Sequence, residues 1–326
     1  MSTFRTVLKN DFARMAQRIG TVITLTIVTL ASMLFSLHVS GTQQVMARIA
    51  YIPAGGAQAA PASSVELSVT VCEQTPPLSD LVQQRYDAYV SADSNGNVTV
   101  QTLRNADFQK MLLALLQNPD ADFSAYRQNR GTGVNLIGYM MMFLLMLAFA
   151  NQFAFANDKE QGQLMRVAVS PASMGAYLAA HCCYSLLLTA PEFLLLAVLK
   201  LLGYDIGFTL GQFLWLMLLL DSMGIAFALF INTLIRKPDN ASMLGNSVAV
   251  LTSVLAGSFY AFSKNNVVLD FIVKILPQKQ LLDYAEAVQN GVTTGYSDSL
   301  AYVLAFTVVL FALSWVFLQR TVHSKG

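Results

Sequence analysis

Charge is scarce in this chain: only 12% of its 326 residues are Asp, Glu, Lys or Arg, and the formal net charge is +1. A soluble domain carries roughly 25%. So little charge excludes an acidic tail or a basic nucleic-acid surface, and no nucleic-acid partner is expected. Cysteine is scarcer still. Cys72 stands apart, while Cys182 and Cys183 are adjacent inside an apolar segment, so no disulfide framework is readable. The three histidines, His38, His181 and His323, lie far apart near the ends of apolar segments. They read as boundary residues, not as a metal set. H-E-x-x-H, C-x-x-C and G-x-S-x-G are all missing, and the sequence has no Gly-Lys pair, which excludes a P-loop. The chain is therefore not expected to be an enzyme or to bind a cofactor. Any ATP–Mg chemistry must belong to a partner.

Apolar length is what the chain has in excess. Predominantly apolar runs of about 20 residues suffice to cross a hydrocarbon core, and they occur near residues 19–37, 134–155, 178–201, 208–234, 243–262 and 299–318. The expectation is an α-helical integral membrane protein with six transmembrane helices and an inserted small α/β extracytoplasmic domain. The first run is too long for a secretion signal and no A-x-A pattern follows it directly, so it reads as an uncleaved helix at 19–40. If six spans alternate, Arg5, Lys9, Arg14, Arg18, Lys159, Arg166, Arg236, Lys237, Arg320 and Lys325 share one side. The opposite short segments hold only Lys200, Lys264, Lys274 and Lys279. The positive-inside rule then places both termini in the cytoplasm of a multi-pass protein, in a bacterial cell membrane.

Residues 1–18 repeat Phe4, Val7, Leu8, Phe12, Met15 and Ile19 at helical spacing, with basic residues largely between. This suits an amphipathic helix in contact with membrane lipid, or a cytoplasmic extension of the first span. Residues 41–132 open on a loose linker, PAGGAQAAPASS, and continue with an alternating strand at 65–71. YDAYVSADSNGNVTVQTL then predicts a hairpin around Asn95-Gly96. Asn105 is placed to cap a helix over Ala106–Gln117 that ends at Asn118-Pro119. The eight acids and six bases of the region nearly cancel. Past the fifth run, LDFIVKILPQKQLLDYAEAVQNG gives two short apolar pieces around Pro277 within 265–292. They fit helices re-entering the outer leaflet or a surface hairpin.

Two acids lie inside apolar runs, Glu192 and Asp221. A charge at that depth costs on the order of 3 kcal/mol even on the lenient insertion scale. Either they are protonated and bonded to neighbours, or they mark a proton or cation pathway. Tyr139 and Met142 lie on an aromatic and Met-rich stretch of the second run that either lines a greasy translocation path with them or simply packs.

One polar patch interrupts the apolar runs: NDKEQGQLMRVAVSPASMGAY, residues 157–177. Its KEQGQLMRVAVSPAS resembles the type-2 ABC permease pattern E-x-G-(T/Q)-x-x-x-(L/V)-x-x-(S/T)-P-x-S, which joins the second and third of six spans. AGSFYAF resembles that family's Gly-x-Phe ending of the fifth span, and ILPQKQLLDYAEAV its following Leu-Pro segment. Two features depart from the pattern: no proline follows the Gly-x-Phe landmark, and no aromatic stands directly after Leu-Pro. The resemblance implies a permease that pairs with a second, identical or related, permease above cytoplasmic ABC ATPase subunits. It implies a coupling helix within 158–173 formed by Glu160, Gly162, Leu164, Arg166, Ser170 and Pro171, and an outer gate at Gly257, Phe259 and Pro277. The large domain between the first two spans resembles the exporter subset that moves amphipathic cargo (antimicrobial peptides, drugs or lipids), hence a role in resistance. The alternatives are a non-transporting sensor or anchor working through residues 41–132, and a cation-coupled secondary transporter using Glu192 and Asp221.

Overall fold

A computed structural model describes residues 3–16, 19–42, 47–53, 67–72, 74, 76–82, 85–92, 98–103, 106–117, 131–258, 267–291 and 296–323. The Asn95-Gly96 turn, Asn105, most of the PAGGAQAAPASS linker and Phe259 lie outside the described residues. Two compact units emerge. One takes residues 1–38 and 131–326, the other residues 39–130.

The larger unit is helical. Helix α1 (Thr3–Met15) precedes α2 (Ile19–Thr42). Among the described residues, five helical stretches are long and apolar enough to cross a membrane: Ile19–Val39, Thr132–Glu160, Met174–Leu201, Leu210–Leu234 and Ser297–Arg320. Each satisfies its own backbone hydrogen bonds, as a segment in lipid must.

In the smaller unit β1 (Ala47–Ile52), β2 (Leu67–Val71), β3 (Ala88–Ala92) and β4 (Val98–Gln101) form one sheet in the order β2-β1-β3-β4, with a short α3 (Leu78–Val82) between β2 and β3. β1 runs parallel to both neighbours, and β3 and β4 pair antiparallel through Tyr89↔Gln101 and Val90↔Val100. Helix α4 (Ala106–Gln117) covers one face, burying Phe108 and Leu112 against Ile49, Tyr51, Val90 and Val100. The opposite face packs Ala50 and Tyr89 on Leu81. Both faces of β1 are buried, as expected of a central parallel strand.

Two of the long stretches are not single rods. Thr132–Glu160 breaks at Gln152 into α5 (Thr132–Asn151) and α6 (Phe153–Glu160). After α7 (Gln163–Ala168), Met174–Leu201 breaks at Leu188-Thr189 into α8 (Met174–Leu187) and α9 (Ala190–Leu201). Pro191 explains the second break: it has no N–H to give the preceding turn, and its ring crowds the carbonyl four residues back. α10 (Leu210–Leu234) starts on a capping box, in which Thr209 Oγ1 accepts from Gln212 N–H (3.2 Å) and Gln212 Oε1 accepts from Thr209 N–H (2.9 Å). It ends at Leu234, where Ile235 turns extended (ψ 131°), and Lys237, also extended, precedes Pro238 at the start of the next helix.

The expected fifth span is the exception. α11 (Pro238–Leu255) has 18 residues and is not one of the five apolar stretches. At 1.5 Å per residue it is about 27 Å long, and Asn240, Asn246, Ser247 and Ser253 dilute its hydropathy. α12 (Val267–Ile275), α13 (Pro277–Gln289) and α14 (Ser297–His323) complete the unit.

The core lies along α5 and α10, where Leu136, Ile137, Met140 and Leu144 meet Phe213, Leu216, Leu220 and Met223. Glycines set the closest approaches. Gly245 lies under the Phe149 ring, and a Cβ on Gly138 would run into the Ser258 carbonyl. By contrast α2 and α14 leave Ile23, Ile27, Phe35, Val308 and Val309 on the outside. In lipid such surfaces carry no penalty.

Candidate functional site

The polar patch folds as a short helix held between two longer ones. α6 ends at exposed Glu160, and Gly162 follows with φ +74°. No atom lies within 4 Å of where its Cβ would be, so the left-handed backbone, not crowding, requires glycine here. α7 then turns Leu164 inward, 4% exposed, into a cluster with Phe155, Tyr177, Leu178, Leu229 and Leu318. Arg166 points out, and Val169 is 85% exposed. Ser170 closes the helix: its hydroxyl donates to the Val167 carbonyl (2.8 Å) and accepts from Ala172 N–H (3.2 Å). Pro171 is exposed in the turn, and Ser173 Oγ accepts from Ala176 N–H (3.4 Å) to cap α8.

Three contacts fasten this loop to the rest of the bundle. The Lys159 ammonium donates to the carbonyls of Asn232 (2.8 Å), Thr233 and Ile235 (3.2 Å) at the end of α10. A cation there satisfies carbonyls that have no helical partner and meets the negative end of the helix dipole. Asp158, largely buried, takes Arg14 Nη1 at 2.7 Å and the Tyr177 hydroxyl at 2.7 Å. One turn along α1, buried Asp11 approaches His181 Nδ1 to 2.7 Å. α1 is thus held by two acid–base contacts, Arg14–Asp158 to α6 and Asp11–His181 to α8, with the Phe12 ring edge-on to Tyr184 of α8. Arg14, Asp158 and Tyr177 line a polar groove of about 750 Å³ together with Asn10 and Gln161.

Deeper in the bundle, Thr189 Oγ1 lies 2.7 Å from Asp221 Oδ2. Glu192, fully buried, lies within electrostatic reach of Asp221. The structure therefore gathers the two acids across the α8–α9 break. Tyr139 instead meets the Phe35 ring at 5.7 Å, and Met142 is half-buried beside the packed core methionines. At the far end, Gly257 takes φ +83° after α11 and Pro277 occupies the first turn of α13. Gln278 Nε2 donates to Thr252 Oγ1 (2.8 Å), linking these two elements.

Of the residues read from the sequence, Gly162, Leu164 and Ser170 have distinct local tasks, and Glu192 and Asp221 come together. Lys159, Asp158, Asp11 and His181 were not singled out as a set. Their partners lie far off in the chain, and no local pattern announces them.

Comparison with curated proteins gives no match. The family model for the ABC-2 type transporter matches residues 108–289, which is more than half of the chain and takes in α5 to α13. This chain belongs to the ABC-2 type transporter family and is a membrane component of an ABC transporter.

Proposed function

We propose that the chain is the permease subunit of an ATP-driven exporter for an amphipathic cargo, and that α7 is the helix through which a separate ATPase moves it. The observation that carries this reading is the two-sided anchoring of α7. Leu164 is locked inward and Lys159 grips the end of α10, while Arg166 and the bare Val169 side chain face away from the bundle. An exposed valine beside an arginine, on a loop fastened this firmly, is suited to a protein partner. Displacement of such a loop reaches α5–α6, α8 and α10 together.

In this reading α11 is the fifth of six spans, about 27 Å long. The sheet unit faces outward, both termini are cytoplasmic, and a second permease completes the pathway. The exposed apolar sides of α2 and α14 suit lipid or that second copy. Gly257 and Pro277, both at chain turns beside the Gln278–Thr252 bond, belong to the outer gate.

The test is purification of the tagged full chain with whatever ATPase accompanies it, followed by Val169→Glu and Gly162→Arg. Both substitutions are expected to release the ATPase and end ATP-dependent cargo movement while leaving the chain folded. Retention of a stoichiometric ATPase and of transport in both variants would refute the assignment of α7.

A further inference from the structure

The α8–α9 stretch carries a polar column that the coupling loop does not use. Tyr177, His181, Ser185, Thr189 and Glu192 recur at steps of four, four, four and three residues, and their exposures are 3%, 1%, 1%, 7% and 0%. At about 1.5 Å per residue the column climbs roughly 22 Å. Such spacing in an apolar helix sets the segment's interior polar groups in one slowly winding row, each a turn from the next.

Each member has a polar partner or a polar environment from another element. The Tyr177 hydroxyl donates to Asp158 Oδ2, and His181 Nδ1 faces Asp11 Oδ2 at 2.7 Å. Ser185 Oγ accepts from Gln152 Nε2 (3.0 Å) and donates to the His181 carbonyl (3.1 Å). Thr189 Oγ1 touches Asp221, whose neighbour is Glu192. The charged groups bordering the line are Asp11 and Arg14 from α1, Asp158 from α6 and Asp221 from α10. Lys200, eight residues beyond Glu192, is bound to the Phe208 carbonyl.

The foot of the column opens into the groove at Arg14, Asp158 and Tyr177. Above its foot it holds buried polar atoms with no hydrogen-bond partner among the described residues: both ring nitrogens of His181, Gln152 Oε1 and both carboxyl oxygens of Glu192. Buried groups of this kind are satisfied by water or by a proton. Among the described residues, no three His, Cys, Asp or Glu side chains gather to hold a metal ion. Chains of carboxyl, imidazole and hydroxyl groups inside a membrane are the material of proton relays.

We infer that this column is a proton path linking water in the Asp158 groove to Asp221 and Glu192, which together take up one proton. The proton comes from bulk water. Imidazole accepts it at one ring nitrogen and releases it from the other, and the hydroxyls of Ser185 and Thr189 hand it on. The net change is one carboxylate converted to a carboxyl; no other bond is altered. Neighbouring side chains one helical turn apart are about 5–6 Å apart, a gap that one bridging water spans. The pair is thereby charged or neutral according to the proton activity at the cytoplasmic end. This inference does not depend on an ATPase partner, and neither does its test.

The experiment uses the full chain in lipid nanodiscs, with infrared difference spectra recorded after a pH jump. A protonated-carboxyl carbonyl band is expected to appear and vanish reversibly, and Glu192→Gln combined with Asp221→Asn should remove it. Ser185→Ala and His181→Phe should leave its final amplitude unchanged but slow its appearance at least tenfold. Ser185→Ala deletes a single hydroxyl, so it decides the matter even if His181→Phe does not fold. A spectrum with no band sensitive to the two acid substitutions overturns the inference. So does a band that appears in Ser185→Ala at the wild-type rate.

Discussion

Replacing Lys159 with methionine keeps the length of the side chain and removes its charge and donors. Three carbonyls at the end of α10 then lose their partner. A hydrogen bond to a charged group contributes about 1.5–3 kcal/mol, but three bonds to one ammonium are not additive. Lys159 is also only half-buried, so water takes up part of the loss. Adding the helix-end charge effect, at most about 2 kcal/mol, a net cost of roughly 2–3 kcal/mol for holding the α10 terminus is reasonable. At 1.36 kcal/mol per decade that is about 30–150-fold. The assay is hydrogen exchange by mass spectrometry on the full chain, read on the peptide covering residues 231–236, where the Ile235 N–H is bonded to the Ile231 carbonyl. Local opening should become more frequent by that factor while the middle of α10 stays unchanged. Lys159→Arg should fall between, since a planar fork cannot direct its donors at three carbonyls as an ammonium does. If the methionine variant exchanges at the wild-type rate, Lys159 does not hold α10 and the loop has lost one of its routes into the bundle.

Three further outcomes are expected. Gly162→Ala forces a Cβ into left-handed backbone, and should lower stability by about 1–2 kcal/mol in a thermal melt, with Gly162→Asn milder. Gly138→Ala pushes against the Ser258 backbone and should cost about 1–3 kcal/mol, whereas Gly20→Ala, with open space around it, should be neutral or slightly stabilising; equal effects in the same melt would contradict the packing described. A double-mutant cycle of Arg14→Met and Asp158→Asn should give a coupling energy of about 1–2 kcal/mol by denaturant melts, and strict additivity would mean α1 is not pinned through this pair.

Where the sequence was legible, a local conformation or periodicity stood behind it. Gly162 and Ser170-Pro171 announced a turn because glycine, hydroxyl and imino acid each have few backbone alternatives. Ala106–Gln117 showed itself through helical spacing. The interruptions at Gln152 and Thr189 were missed because a hydropathy window of about 20 residues averages over one or two polar side chains. Ser173 caps α8 and Ser170 closes α7, a division that the two similar hydroxyls do not reveal by spacing. Val169, the C-cap of α7, is on the outside although Leu164 within that short helix is buried. β1 went unseen because Arg48 stands next to Ile49 and breaks the apolar run, although the strand lies at the centre of the sheet. Least legible were the ionic contacts. Arg14 and Asp158 are 144 positions apart, and nothing in either neighbourhood selects the other.

The four-residue step of the α8 polar groups has a geometric corollary. A helix advances about 100° per residue, so each step of four overshoots a full circle by about 40°. Tyr177, His181, Ser185 and Thr189 therefore trace a slow right-handed screw around the helix instead of a straight edge. A straight edge can be served by one neighbouring helix, but a screw sweeps past several. That is why the partners change along the way, from Asp158 on α6 and Asp11 on α1, through Gln152 at the α5–α6 joint, to Asp221 on α10. Only a screw motion of the helix, about 40° of rotation together with about 6 Å of travel along its axis, would present each group to its successor's partner.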